Sequence, residues 1–162
     1  TVHGRTRAQG YNGNARWEWI KKVKETVSIP VIGNGDIFSV DAAVKCLIET
    51  GADGVMCSRG TLGYPFLVGE VDYFLKTGER LPEPTPIQKL QCAKEHLQAL
   101  FQYKGIGGVR QARKHLTWYA RDFHGASDLR SKLSVINTVA EGVEYIDRAI
   151  ENLLSIDNKS LI

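Results

Sequence analysis

Residues 28–37 read SIPVIGNGDI, a β-branched apolar run that ends abruptly in small and polar residues. Residues 52–60, ADGVMCSRG, repeat this pattern after an intervening helical segment. A near-continuous apolar run that leads into a helix is typical of a strand buried on both faces of a parallel sheet. Backbone N–H groups in glycine-containing turns can approach a ligand closely, and such groups bind phosphate well. The two segments therefore predict neighbouring strand–turn units with a phosphate site at their ends.

Strand, loop and helix alternate three times in the first half of the chain. Residues 1–2 have the pattern of a strand end, and amphipathic helices are predicted at residues 15–27, 39–50 and 65–77. This alternation is typical of parallel α/β architecture. A complete (β/α)8 barrel needs about 250 residues, so we expect the C-terminal part of a TIM barrel. The start at Thr1, without a methionine, agrees with a piece of a longer protein.

The composition changes at residues 80–86, RLPEPTP, which hold three of the five prolines and predict a stiff linker. Beyond it the apolar spacing predicts four helices and no strand. These helices are predicted at residues 86–103, 109–123, 128–136 and 138–154. Short connections between amphipathic helices indicate an all-α helical bundle. We therefore predict two domains, with the strand–helix units of the barrel in 1–80 and the helical bundle in 85–156.

Charge and cysteine content exclude several classes of protein. The chain has 162 residues and a formal net charge of +3, which permits a nucleic-acid partner without establishing one. Three cysteines without a CxxC pair argue against a disulfide scaffold and a zinc site, and they favour a reducing cytoplasm. No apolar run reaches the ~18 residues of a membrane span. We therefore expect a cytoplasmic protein with no metal and no membrane partner.

Candidate cofactor-binding residues lie at the predicted carboxyl ends of two strands. In the turn Asn34-Gly35-Asp36, backbone amides would face a phosphate, while the Asp36 carboxylate would orient the turn or bind a sugar hydroxyl. Ser58 and Arg59 follow the next strand with a hydroxyl and a guanidinium that suit phosphate. Plain strand-to-helix turns carry the same dipeptides, so the pattern alone leaves both interpretations open.

His3 follows the first strand, at the end where β/α barrels place their active sites. Its imidazole would hydrogen-bond a cofactor or substrate oxygen, or else a nearby backbone group. Cys57 precedes the second turn but has no base beside it in sequence, so we interpret it as a buried apolar residue. The sequence therefore supplies no candidate catalytic group.

Candidate RNA-binding residues form two groups of basic side chains. Arg5 and Arg7 lie in the loop after the first strand, where they would hold phosphate or simply be solvated. Four more fall on one face of the helix predicted at 109–123: Arg110, Arg113, Lys114 and Arg121. A solvated basic face is the ordinary interpretation of such a helix. Trp118 and Tyr119 interleave with the charges, which suits RNA backbone binding with some stacking.

Four sequence blocks together resemble the tRNA-dihydrouridine synthases, in the bacterial branch related to the nitrogen-regulation-linked type. The blocks are HGRTR at 3–7, PVIGNGDI at 30–37, ADGVMCSRG at 52–60 and RQARKHLTWY at 110–119. The resemblance covers the chain from Thr1 to about Leu154. It implies an FMN-containing β/α barrel followed by a helical domain. This chain would supply the last three strand–helix units and that domain.

The resemblance also implies a reaction. Such enzymes use NADPH to reduce FMN, and the reduced flavin passes hydride to C6 of a tRNA uridine. A cysteine general acid protonates C5, which completes the reduction of the C5=C6 bond. That cysteine is expected upstream of Thr1 together with the missing N-terminal barrel half, so we expect this piece alone to be inactive.

Matched to the family's motifs, the residues of this chain divide into four groups. The first, Asn34 to Asp36, corresponds to the FMN-binding turn. Ser58 and Arg59 correspond to a second FMN-phosphate turn, with Ser58 at a place where glycine is frequent. His3 corresponds to a flavin-contacting histidine, and the basic helix resembles a tRNA-docking surface.

Two other functions stay open from the sequence. Another β/α-barrel oxidoreductase that binds flavin or a sugar phosphate, such as a dihydroorotate-dehydrogenase-like protein, would carry similar turns. The basic, aromatic-bearing helix after a proline linker argues against it. A non-catalytic RNA-binding module would consist of the helical domain alone.

Overall fold

The structure, a computed structural model, describes residues 1–159, with side chains through Ile156. The chain divides between Pro82 and Glu83 into two compact units. Each unit buries its own apolar core. Among the described residues, the helices are too short or too polar to cross a membrane.

The first unit is a small parallel sheet flanked by helices. Its elements are β1 (Val2–His3), α1 (Trp17–Thr26), β2 (Ile32–Asn34), α2 (Val40–Thr50), β3 (Gly54–Met56), a 3-10 turn (Arg59–Thr61) and α3 (Phe66–Thr77). The strand order is β1-β2-β3, all parallel, with His3 opposite Asn34 and Asn34 opposite Met56. The predicted parallel α/β architecture is therefore confirmed. That the sheet belongs to a TIM barrel stays a prediction.

The core of the first unit lies between the sheet and its helices. Ile20 of α1 and Ala43 and Cys46 of α2 are fully buried. A Cβ added at Gly33 of β2 would lie 3.1 Å from the Cys46 sulfur, so the absence of a side chain lets α2 pack closely on the strand. Ile29, predicted at the start of this strand, is instead 67% exposed because β2 begins at Ile32.

Helix ends in the first unit follow the capping residues that the sequence carries. The Ser39 hydroxyl accepts a hydrogen bond from the Ala42 N–H and begins α2, while Gly51 ends it with φ 67°. Gly78, with φ 75°, ends α3 in the same way. Because the three strands are parallel, their carboxyl ends lie at one edge of the sheet.

The second unit contains four helices around one core. They are α4 (Pro86–Lys104), α5 (Ile106–Tyr119), α6 (Ala126–Leu133) and α7 (Val139–Lys159). The fully buried large side chains of this core include Leu90, Leu97, Leu116, Leu133, Ile136 and Ile146. Helix α4 begins with a capping box, in which the Thr85 and Gln88 side chains each accept a hydrogen bond from the backbone N–H of the other residue.

Three predicted helix boundaries were wrong. The helix predicted at 109–123 is α5, which begins about one turn earlier because Gly105 alone makes the corner (φ 59°, ψ −143°). The helix predicted at 128–136 with a Ser127 cap is α6, which follows Gly125 at φ 86° and ends at Leu133. The helix predicted at 138–154 is α7, which continues through Lys159. Residues 160–162 lie outside the described part.

Candidate functional site

The predicted cofactor-binding residues line one cleft at the carboxyl edge of the sheet. Because β2 and β3 are parallel and in register, the turns that follow them emerge side by side. The cleft has a volume of about 150 Å³. Its lining includes all six predicted residues, which are His3, Asn34, Gly35, Asp36, Ser58 and Arg59. The structure thus brings together residues from three separate strand ends.

Asn34 ties these strand ends to one another. Its buried side-chain amide donates from Nδ2 to the Met56 carbonyl at 2.6 Å and to Ser58 Oγ at 2.9 Å. Its backbone carbonyl accepts from Gly4 N–H at 2.9 Å. The hydroxyl of Ser58 is therefore directed toward Asn34, and it makes no cap on the 3-10 turn that it precedes.

His3 Nδ1 lies 3.2 Å from the same Asn34 carbonyl oxygen. A carbonyl oxygen can only accept, so this contact places the proton of a neutral imidazole on Nδ1. The Nε2 atom is then an acceptor on an exposed ring at the cleft. The backbone bond considered in the sequence analysis is present, and it leaves one ring nitrogen for a ligand.

Asp36 is the centre of an ion network. Its carboxylate accepts from Arg5 at 2.8 and 2.7 Å, from the Ala15 N–H at 2.7 Å and from Arg59 Nη2 at 3.1 Å. The hydrogen bonds from Arg5 hold the pKa of the Asp36 carboxyl below its usual range, although partial burial opposes the shift. One carboxylate thus faces two guanidinium groups, which leaves the network with one uncompensated positive charge.

Arg5 requires a correction. The sequence placed it among RNA-contacting residues in a loop, but its side chain is only 3% exposed. Besides the paired bonds to Asp36, it donates to the backbone carbonyls of Asn12 at 3.4 Å and Gly13 at 2.5 Å. All three donor nitrogens therefore face protein acceptors. Arg5 joins the 6–14 loop to the cleft and is not presented to a polynucleotide.

At two positions of the cleft, neighbouring protein atoms come so close that only glycine fits. A Cβ at Gly35 (φ 121°) would lie 2.8 Å from the Ala15 side chain and 3.1 Å from the His3 ring. A Cβ at Gly60 would lie 2.3 Å from the Ile37 carbonyl oxygen. These positions let the second turn pack against the backbone that follows β2. The cleft is accordingly lined by backbone as well as side chains.

No catalytic group is evident in the described part of the cleft. Cys57 is only partly buried, against the core of the first unit, and this burial raises the pKa of its thiol, which favours a packing role over that of a nucleophile. All three cysteines are free. Residues 1–159 also contain no cluster of His, Cys, Asp and Glu that could hold a metal ion.

The basic side chains of α5 do not all face solvent equally. Arg110 and Lys114 are exposed, and Lys114 Nζ lies 5.3 Å from the Trp118 ring centre. Arg113 is committed within the unit, because Nε donates to the Ile136 carbonyl at 2.7 Å and Nη2 to Asn137 Oδ1 at 3.0 Å. Arg121, predicted on the same helical face, lies beyond the helix end at Tyr119.

Beside that surface, α4 and α5 bury a polar aromatic cluster. His96 Nδ1 lies 3.2 Å from the Tyr119 hydroxyl, and the His96 and His115 ring centres are 5.0 Å apart. Burial is the main cause that lowers the pKa of His96, and the neighbouring His115 lowers it further. Burial raises the pKa of the Tyr119 hydroxyl. Tyr119 therefore belongs to the helix interface, and Trp118 is the aromatic residue that accompanies the exposed cations.

Comparison with known proteins assigns the chain to a family. The family model described as dihydrouridine synthase (Dus) matches residues 1–155. The chain belongs to the dihydrouridine synthase family. A protein of Synechocystis sp. named "Probable tRNA-dihydrouridine synthase 1" is 66% identical over 150 residues, which are 93% of this chain and 42% of that protein.

Two further relatives of this chain come from other bacteria. One from Rickettsia bellii, named "Probable tRNA-dihydrouridine synthase", is 43% identical over 160 residues, or 98% of this chain and 48% of that protein. The "tRNA-dihydrouridine synthase B" of Xanthomonas axonopodis is 46% identical over 138 residues, which are 85% of this chain and 42% of that protein. The chain thus spans somewhat less than half the length of these curated relatives.

Sequence reasoning missed two aromatic residues of the cleft. Tyr11 and Phe38 both line it, and the Arg59 guanidinium lies over both rings. Tyr11 sits in the glycine-containing 6–14 loop and Phe38 precedes α2, so neither belongs to a periodic pattern. The available signal was position alone, since Tyr11 lies in the loop after the first strand and Phe38 lies two residues after Asp36.

Proposed function

We propose that this chain is the C-terminal portion of a tRNA-dihydrouridine synthase that binds FMN. The enzyme would reduce the C5=C6 bond of tRNA uridines with hydride derived from NADPH. The observation that carries the proposal is the single cleft shared by the turns at 34–36 and 58–60, with its uncompensated positive charge. Family membership and the printed names of the relatives support the reaction. The remaining parts of the active site would come from the half of the relatives that this chain does not match.

The cleft fits the phosphate end of FMN better than the whole cofactor. Its volume of about 150 Å³ is below the roughly 300–1,000 Å³ of pockets that enclose a drug-sized ligand. Its net positive charge and its two glycine positions suit a dianionic group approached by backbone. We therefore assign the phosphate to the cleft, with Gly35, Ser58 and Arg59 around it and Asp36 orienting the arginines.

FMN, when bound, would supply the redox chemistry by accepting hydride from NADPH and passing it to the uridine. The residues of this chain bind and orient. Asn34 holds the two turns at a fixed separation through its bonds to Met56 and Ser58. His3 Nε2 is placed to accept a hydrogen bond from the cofactor. No residue of the described part is assigned a proton-transfer role.

The second unit would dock tRNA. Its support is that Arg110, Lys114 and Arg121 are exposed and make no ion pair among the described residues, and Arg7 in the first unit shares both properties. Cations without a protein counter-charge are suited to neutralise backbone phosphates. The uridine base must leave the RNA stack to reach a flavin, so docking by backbone contacts agrees with this chemistry.

A composite synthase tests the proposal. In the Synechocystis relative, the matched 150-residue segment is replaced by this chain, and the product is expressed in cells that lack their own synthases. We expect a yellow protein with stoichiometric flavin and restored dihydrouridine in tRNA. The change Arg59→Gln should lower flavin content and dihydrouridine together, whereas Arg80→Gln, an exposed arginine outside the cleft, should leave both unchanged. A composite that folds without flavin would overturn the proposal.

A further inference from the structure

Two aromatic rings hold the exposed cation of the cleft. The Arg59 Cζ lies 4.4 Å from the centre of the Tyr11 ring and 5.4 Å from that of Phe38. A guanidinium within about 6 Å of an aromatic face is attracted by the ring quadrupole. Tyr11 and Phe38, named here the aromatic clamp, therefore fix the direction of the Arg59 side chain.

Without the aromatic rings, the Arg59 side chain would be held only weakly. Within residues 1–159, its guanidinium has one hydrogen-bond acceptor, Asp36 Oδ1 at 3.1 Å, and its side chain is 35% exposed. A single bond leaves a long side chain with several accessible rotamers, and ordering such a side chain on ligand binding lowers affinity. An aromatic ring that holds the guanidinium before the ligand arrives removes part of the entropic cost of ordering the side chain.

The loop that carries Tyr11 is tied to the same network. Tyr11 is 73% exposed, so hydrophobic burial does not account for its position. Arg5 binds the carbonyls of the next two residues, Asn12 and Gly13, while its other bonds go to Asp36. One buried arginine thus fixes both the loop that carries the ring and the carboxylate that holds Arg59.

We propose that Tyr11 is a positioning residue of the phosphate site, and that it acts on the ligand only through Arg59. This inference rests on the proposed FMN site. The ring holds the guanidinium at the cleft, so the Arg59 charge faces the incoming phosphate monoester before it binds. The aromatic face of Tyr11 alone performs this role, and its hydroxyl takes no part.

The test uses the composite synthase stripped of flavin and titrated with FMN or with riboflavin, which lacks the phosphate. Tyr11→Leu should weaken FMN binding about two- to five-fold, the range of a cation–π contact at an exposed site, and leave riboflavin binding unchanged. Tyr11→Phe should bind FMN like the parent. In an Arg59→Gln background, Tyr11→Leu should have no further effect. Trp19→Leu is the matched control, because Trp19 is an exposed ring under Arg16 outside the cleft.

Each other outcome overturns the inference in a recognisable way. Equal FMN affinity of Tyr11→Leu and the parent would show that the clamp does not position Arg59. Equal losses for FMN and riboflavin would show a general structural role for the loop. A loss in Tyr11→Phe would show a direct contact by the hydroxyl. Failure of the folded parent to bind FMN would instead overturn the proposed function, on which the inference depends.

Discussion

Replacing Asp36 by asparagine isolates the charge at the centre of the cleft. Asparagine tolerates the left-handed backbone that Asp36 adopts at φ 58°, so the turn itself is not strained by the change. It also keeps an oxygen for the Ala15 N–H. What it removes is the anion that two guanidinium groups share.

The magnitude follows from the burial of the partners. Removing one partner of a buried ion pair costs about 3–5 kcal/mol, because the other charge stays buried without compensation. The Arg5 side chain is 3% exposed, but that of Asp36 is 23% exposed, so water can partly replace the carboxylate. We therefore expect Asp36→Asn to lower the free energy of unfolding of the first unit by about 2–3 kcal/mol.

Urea unfolding followed by tryptophan fluorescence measures this loss. A Trp118→Phe background leaves Trp17 and Trp19, both in the first unit, as the reporters. Asp72→Asn is the control, since Asp72 is 62% exposed and pairs with Lys76 one helical turn away. The control should change stability by no more than about 0.5 kcal/mol.

The pH dependence gives the same prediction an independent check. The folded-state pKa of Asp36 is lowered from 3.8, so the pair stabilises the folded state fully above that value. Its contribution is lost as the pH falls below 3.8 toward the lower folded value. The stability difference between parent and Asp36→Asn should therefore be constant near neutrality and shrink in acid. A difference below about 0.5 kcal/mol at neutral pH would refute the reasoning.

Two further predictions concern the helical unit. Gly108→Ala should destabilise it by more than about 1 kcal/mol, because the new Cβ would lie 2.1 Å from the Leu100 carbonyl oxygen. At Gly107 a new Cβ would have no neighbouring atom within 4 Å, so Gly107→Ala should instead stabilise the unit by about 0.5–1 kcal/mol. Thermal unfolding followed by circular dichroism compares the two variants. Equal effects on stability would contradict the packing argument. Arg113→Met should lower the stability of the unit by about 1.5–3 kcal/mol through its lost charged hydrogen bonds. Arg110→Gln should leave stability unchanged, weaken tRNA binding and reduce its salt slope, so a filter-binding slope equal to the parent's would remove Arg110 from the RNA surface.

The sequence was most informative where local chemistry determines the structure. The Ser39 and Thr85 caps and the glycine at position 51 all follow from patterns within a few residues. Because parallel strands end at one edge, the meeting of the turns at Asn34 and Ser58 could also be predicted. The family resemblance, carried by four blocks, was confirmed by the match over residues 1–155.

What the sequence could not give depends on contacts between distant residues. Arg5 is buried because its partner Asp36 lies 31 positions away, and no local pattern distinguishes it from the exposed Arg7. Gly108 lies inside α5, and the close approach of the Leu100 carbonyl of α4 explains why this position has no side chain. Tyr11 belongs to no periodic segment, so its contact with Arg59 was visible only in three dimensions.

The bonds of Asn34 have a kinetic consequence. They join the ends of all three strands, and each bond is made between atoms of the protein itself. The cleft is thus preorganised, and its ordering entropy is lost during folding rather than during association. An anion would then enter in one bimolecular step, with an observed rate that rises linearly with concentration and shows no plateau from a preceding rearrangement.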